Sequence, residues 1–220
     1  MRAWVLLGLG LLAGCSTFEG LFSSKPASVP KARPAAMTAP RPGGLTALQQ
    51  CQADLDEFGF DFEVVPAFST QRGCGMADGV KVAAEGVALN RPTQLSCELA
   101  LAFANFEYEF IQPLALRHLK QTVTKVYHAG SYDCRDIRGK AKGLSEHARG
   151  RAIDVLGFDL SDGSVVNIER DWRPPGPKSE FLRALAKQAC ARFDVVLGPD
   201  HDKDHRDHLH FDLSGKKYCG

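Results

Sequence analysis

Ser145, His147, Gly150, Ala152 and Asp154 lie in the segment SEHARGRAID, and further along HRDHLH runs from His205 to His210. As spacings these read S-x-H-x-x-G-x-A-x-D followed by H-x-x-H-x-H. Zinc takes imidazole nitrogens and carboxylate oxygens, and a catalytic zinc keeps three protein ligands and leaves a fourth position to water. One His and one Asp from the first segment, with a second His from the other, supply that set. Amide hydrolysis is the chemistry this suggests, because such an ion both polarises a carbonyl and activates water. Any one of these histidines alone would read as a solvated surface residue. The matched spacing and the downstream cluster together carry the expectation of a zinc peptidase.

The two segments meet in one site if His147 begins a hairpin limb, Asp154 lies on the next strand and His210 on a neighbouring central strand. Gly150 permits the turn between the first two. His208 and His210 are two apart, so on a strand they share a face while Leu209 turns to the core. The rest of the domain supplies the frame. Leu48, Cys51, Leu55 and Phe58 recur at helical spacing after Thr46, and Cys97 to Phe110 predicts an apolar helix stopped near Pro113. Cys74 to Gly79 is turn-like, and Val80 to Leu89 suits a short strand or hairpin. A strand is expected from Val123 to Gly130. Asp162-Gly163 should join strands at Ala152–Phe158 and Val165–Trp172 as a hairpin. Phe181, Leu182, Leu185, Ala189 and Phe193 mark one face of a second helix, with Ser179 as its expected cap. Val195–Leu197 and Leu209–Leu213 read as further strands. The expectation is an α+β domain: a central antiparallel sheet flanked by helices.

Residues 1–14 read as a signal peptide. Arg2 precedes an apolar run from Trp4 to Ala13 that is too short to span a membrane. Leu12-Ala13-Gly14-Cys15 resembles the bacterial lipobox, which implies cleavage before Cys15 and its lipidation; Ser16 after it implies sorting to the outer membrane. The alternative is an ordinary secretory signal and a soluble periplasmic protein. Residues 15–44, rich in Pro and Ala, predict an extended tether, and residues 45–220 a single domain. The chain carries 27 basic and 26 acidic residues, and without its first 14 residues the two are equal at 26. No basic stripe marks a nucleic-acid partner. With Cys15 lipidated, Cys51, Cys74, Cys97, Cys134, Cys190 and Cys219 remain, and an even number in an exported chain reads as disulfides. Sequential neighbours are expected to pair, Cys190–Cys219 foremost because it would staple the C-terminus to a helix.

The S-x-H-x-x-G-x-A-x-D pattern with a later His is similar to that of the D-alanyl-D-alanine peptidases, which share a zinc site with lysostaphin-type endopeptidases and the hedgehog signalling domain. More closely, residues 48–220 resemble the bacterial extensin-like C-terminal domain family. The words that carry this are GSYDCR at Gly130–Arg135, SEHARGRAIDVLGF at Ser145–Phe158, VLGPD at Val196–Asp200 and DHLHFDL at Asp207–Leu213. The resemblance implies zinc on His147, Asp154 and His210. His208 matches a His that assists the water in lysostaphin-type enzymes, and is the implied general base. His205 completes an H-x-x-H-x-H similar to that of penicillin-insensitive murein endopeptidases. The D-alanyl-D-alanine dipeptidases have Glu three residues before the last ligand, whereas this chain has Asp207, which reads as an orienter or an alternative base. Arg135 corresponds to an Arg that holds a substrate carbonyl or carboxylate; equally, it could pair with Asp133 or Asp136 at the surface. Ser145 is expected to support a ligand.

The run from Asp200 to Asp207 imitates a calcium loop, but His205 and Phe211 stand where an EF-hand needs Gly and Glu. It is expected to be a polar loop at the rim of the zinc site. Leader, tether and resemblance together imply a lipid-anchored zinc peptidase cleaving peptidoglycan stem peptides or cross-links in the periplasm. The alternative is a non-catalytic, zinc-containing wall-binding or scaffolding lipoprotein.

Overall fold

Thr46 opens the folded part of the chain. Its hydroxyl accepts the Gln49 amide while the Gln49 side chain accepts the Thr46 amide, a capping box that starts α1 (Ala47–Phe58). The computed structural model describes residues 46–85, 87–138 and 143–220. The expected signal peptide, Cys15 and the linker to residue 44 lie outside these residues.

After α1 come β1 (Asp61–Val64), the small pair β2 (Phe68–Ser69) and β3 (Gly75–Met76), then β4 (Gly79–Glu85) and β5 (Val87–Ser96). Ser96 caps α2 (Cys97–Phe106) by accepting the Leu99 amide. The expected stop near Pro113 is not observed. The chain runs from α2 through a π-helical turn at Glu107–Ile111 into α3 (Gln112–Leu119). Pro113 falls in the first turn of α3, where its missing N–H is tolerated. Next come β6 (Val123–Gly130), a 3-10 turn at Glu146–Arg149, β7 (Ala152–Leu160) and β8 (Val165–Asn167). The limb expected to reach Trp172 ends at Asn167, whose side chain accepts the Arg170 amide and starts α4 (Ile168–Asp171). In α5 (Pro177–Ala189) Gly176, not Ser179, is the N-cap; Ser179 sits inside and donates its hydroxyl to the Trp172 carbonyl at 2.7 Å. The chain closes with β9 (Val195–Leu197), a 3-10 turn at Lys203–His205, β10 (Leu209–Asp212) and β11 (Tyr218–Cys219).

The main sheet runs β1-β4-β5-β6-β7-β10-β9-β11, with β8 also pairing β7. It is mixed rather than antiparallel, which corrects the expectation: β5 pairs β6 in parallel, and so does β9 with β11. The helical run from α2 to α3 is the cause at β5–β6, since a crossover of that length returns the chain to the starting end of the sheet. The described fold is thus mixed α/β, a large sheet with helices.

Strand alternation then separates two sets of side chains. Ile153, Val155, Phe158, Leu209 and Phe211 of the sheet are fully buried in one core with Phe103, Phe106, Phe181 and Phe193 from the helical side. The rings of Phe106, Phe193 and Phe211 pack at centroid distances of 4.9 to 5.6 Å, and burying each such side chain stabilises the fold by roughly 1.5–3 kcal/mol. Asp154, His210 and Asp212 alternate with these residues and so project from the opposite face.

Among the described residues three disulfides form, but only Cys190–Cys219 follows sequential order. Cys51 pairs with Cys97 and Cys74 with Cys134. The reason is packing: α1 lies on α2 across the intervening strands, which brings Cys51 to the start of α2. Cys74–Cys134 ties the turn before β3 to the segment leading towards His147.

Candidate metal centre

β7 and β10 pair antiparallel with His210 directly opposite Asp154. Cross-strand partners share a face, so this register sets His210 Nδ1 2.8 Å from Asp154 Oδ1. His147 is not on a hairpin limb as expected. It stands in the 3-10 turn before β7, which Ser145 caps by accepting the His147 amide. Gly150 ends that turn at φ +64°, and a Cβ there would lie 2.4 Å from Met76 Sδ and 3.0 Å from the Ser96 nitrogen. Glycine is therefore required twice over, by the left-handed backbone and by the approach of β3 and β5. The tight turn carries the His147 ring back over the sheet, with Nε2 3.2 Å from Asp154 Oδ1 and 3.3 Å from His210 Nδ1.

The three donor atoms thus form a triangle with edges of 2.8, 3.2 and 3.3 Å. Zinc bonds of about 2.0–2.1 Å in a tetrahedron put neighbouring ligand atoms roughly 3.3–3.4 Å apart. The donor set and its spacing fit such an ion. Each ring is also oriented from behind. His147 Nδ1 donates to the Ser131 carbonyl at 2.6 Å, which turns Nε2 towards the triad. His210 is reversed: its Nε2 lies 3.2 Å from Asp212 Oδ2, so Nδ1 faces the triad.

Electrostatics agree with a site built for a cation. Burial acts to raise the Asp154 pKa, but hydrogen bonds from His147 and His210 and their charges outweigh it and hold the carboxyl far below its ordinary range. Burial acts to lower the His210 pKa, yet the bonds and charges of Asp154 and Asp212 raise it to about 9. Near neutral pH the metal-free His210 is therefore an imidazolium, and a metal must displace its Nδ1 proton. Calorimetry at pH 7.5 in buffers of different ionisation enthalpy is expected to show at least about one proton released per zinc. Apparent affinity is expected to weaken about tenfold for each pH unit below 9 and to flatten above it, because the proton competes only below its own pKa. Release near zero at pH 7.5 would mean that His210 is already neutral.

His208 lies just before β10 on the same side as His210, as the alternation predicted. Its Nε2 is 3.6 Å from Asp154 Oδ1, while its Nδ1 is 2.9 Å from Asp207 Oδ1. Asp207 thus occupies one ring nitrogen and leaves the other towards the triad. The His205 ring lies 5.1 Å from that of His208 and 6.0 Å from that of His210, with Nδ1 on Asp202 at 2.8 Å. Arg135 pairs with Asp133 at 3.0 Å, the alternative foreseen for it. Its segment nonetheless adjoins the site, since the Asp133 amide donates to the His147 carbonyl and Arg135 accepts from Ser145 through their backbones. The loop resembling a calcium site does lie beside the triad, but Asp200 is turned to Arg183 at 2.9 Å and Arg173 at 3.6 Å.

Two features escaped sequence reasoning. Asp212, two residues after His210 on the same strand, could have been found by extending H-x-H to H-x-H-x-D. The Ser131 carbonyl could not, because a backbone oxygen has no residue signature.

The fold and site define a mixed α/β domain carrying a buried His–Asp–His donor triangle on the sheet face opposite its aromatic core. A family model described as extensin-like protein C-terminus matches residues 49–220, and the chain belongs to that family. No curated protein and no solved structure matches it. Among the described residues, no helix is long and apolar enough to cross a membrane.

Proposed function

We propose that this extensin-like chain is a zinc-dependent peptidase of the bacterial wall, acting on peptidoglycan stem peptides or their cross-links. One observation carries the reading: three donor atoms 2.8 to 3.3 Å apart, with a further imidazole, His208, 3.6 Å from Asp154 and backed by Asp207. A purely structural zinc is usually closed by four protein ligands, whereas the tight donor triangle here has three.

His147 Nε2, Asp154 Oδ1 and His210 Nδ1 would hold the zinc, which would supply Lewis acidity to the scissile carbonyl and to the attacking water. His208 Nε2 takes the proton of the attacking water and returns it to the amine nitrogen as the C–N bond breaks. Asp207 keeps the Nδ1 proton in place and steadies the imidazolium that forms. Arg135 offers the planar donors that a substrate carboxylate or carbonyl accepts, and His205 is a second donor towards developing negative charge. Once the signal peptide is cleaved, a lipid on Cys15 would hold the domain on the periplasmic side of the outer membrane, with the tether reaching the wall. No nucleic-acid partner belongs to this reading.

The test is mass spectrometry of muropeptides after sacculi are incubated with the protein and zinc, alongside His210→Ala. New products from the wild type alone are expected, and their masses identify the bond cleaved. An unchanged muropeptide profile in spite of one bound zinc would favour the non-catalytic wall-binding reading.

A further inference from the structure

A second group of metal donors stands outside the triad. His201, Asp202 and His205 each present a ligand atom, all within 4.8 Å of one another. His205 Nδ1 is 2.8 Å from Asp202 Oδ1, and His201 Nε2 is 3.5 Å from Asp202 Oδ2. The carboxylate therefore meets both rings, one with each oxygen.

The group is held in place by its own backbone. Asp202 Oδ1 accepts the amides of Asp204 at 2.8 Å and His205 at 3.1 Å, which caps the Lys203–His205 turn. The His201 amide donates to the Gly198 carbonyl at 2.9 Å. Its ring packs edge-on against Tyr218 at 5.5 Å, next to the cysteine that bonds Cys190. The rings of His201 and His205 lie 5.5 Å apart, also edge to face. His205, whose ring is 5.1 Å from that of His208, makes this group the outer neighbour of the triad.

We propose that His201, Asp202 and His205 form a second, exchangeable site for a divalent transition ion, zinc foremost, beside the buried triad. Two imidazoles and one carboxylate favour zinc, cobalt or nickel over calcium and magnesium, which want all-oxygen shells. The side chains are 27, 44 and 19 % exposed, against 3, 15 and 11 % for His147, Asp154 and His210. Water completes the outer shell, so this site binds more weakly and exchanges faster than the triad. It uses a metal-binding role for His205 in addition to the one named above. The inference concerns residues outside the triad, and its test counts metal, so its failure is separate from failure of the peptidase reading.

The experiment is equilibrium dialysis of the metal-stripped, full-length protein in detergent against a series of free zinc concentrations, with bound zinc measured by elemental analysis. The wild type is expected to saturate at about two zinc ions per chain in two separate phases, and His201→Ala at about one, losing only the weaker phase. His210→Ala should lose the tighter phase and keep the weaker. Saturation of the wild type at about one ion overturns the proposal, and so does an unchanged weaker phase in His201→Ala. If His201→Ala loses both phases through misfolding, Asp202→Asn decides, since Asn still caps the turn but removes the anionic ligand. Loss of its weaker phase alone supports the site, and retention of that phase overturns it.

Discussion

His208→Ala is expected to keep one tightly bound zinc per chain and to slow peptide hydrolysis by about 10²–10⁴-fold, the range a positioned acid–base group contributes. The geometry behind this is asymmetric. His208 Nδ1 is engaged by Asp207 at 2.9 Å, and its Nε2 stops 3.6 Å from Asp154 Oδ1, while the two liganding rings approach that oxygen to 3.2 Å or less. His208 therefore borders the donor triangle without completing it. Zinc content by elemental analysis separates the alternatives. Loss of the tight zinc along with activity would make His208 a ligand, and undiminished turnover would remove it from the mechanism. Asp207→Ala is the companion variant: freeing Nδ1 should cost less than removing the ring. A larger loss from Asp207→Ala than from His208→Ala would instead make the carboxylate the base.

Asp154→Ala is expected to abolish tight zinc binding, with an affinity loss beyond the roughly 10–100-fold that a missing supporting hydrogen bond costs. Asp154 Oδ1 is the common partner of both liganding rings. Without it, two imidazole nitrogens face each other at 3.3 Å with no anion between them. Thermal unfolding gives the second readout. Zinc at about a thousand times its Kd stabilises the native wild type by roughly 4 kcal/mol, worth about 8–16 °C in Tm for a domain of this size. At zinc concentrations that fill the triad but not the weaker second site, that rise should vanish in Asp154→Ala, so that curves with zinc and with chelator coincide. A persisting rise would mean that the stabilising ion binds elsewhere.

Much of this site was legible from local pattern. The spacing S-x-H-x-x-G-x-A-x-D picked out His147, Gly150 and Asp154, and alternation in DHLHFDL placed His208 and His210 on one face with Leu209 in the core. Such inferences work because a strand alternates its side chains whatever it pairs with, and because a left-handed turn selects glycine wherever it occurs. Leu48, Cys51, Leu55 and Phe58 announced the first helix for the same reason: apolar spacing along one helical face is complete within a few turns.

What local pattern did not contain was the partner of each element. The register that sets His210 opposite Asp154, the parallel pairing of β5 with β6, and the Cys51–Cys97 and Cys74–Cys134 bridges all join residues far apart in the chain. Pro113 looked like a stop until the π turn moved it into the first turn of a new helix. The Ser131 carbonyl orients His147 only because β6 ends beside the turn before β7. The residue types and their faces follow from backbone geometry, which each short segment carries within itself. Which faces meet follows from burying one shared aromatic core, and that is a property of the whole chain.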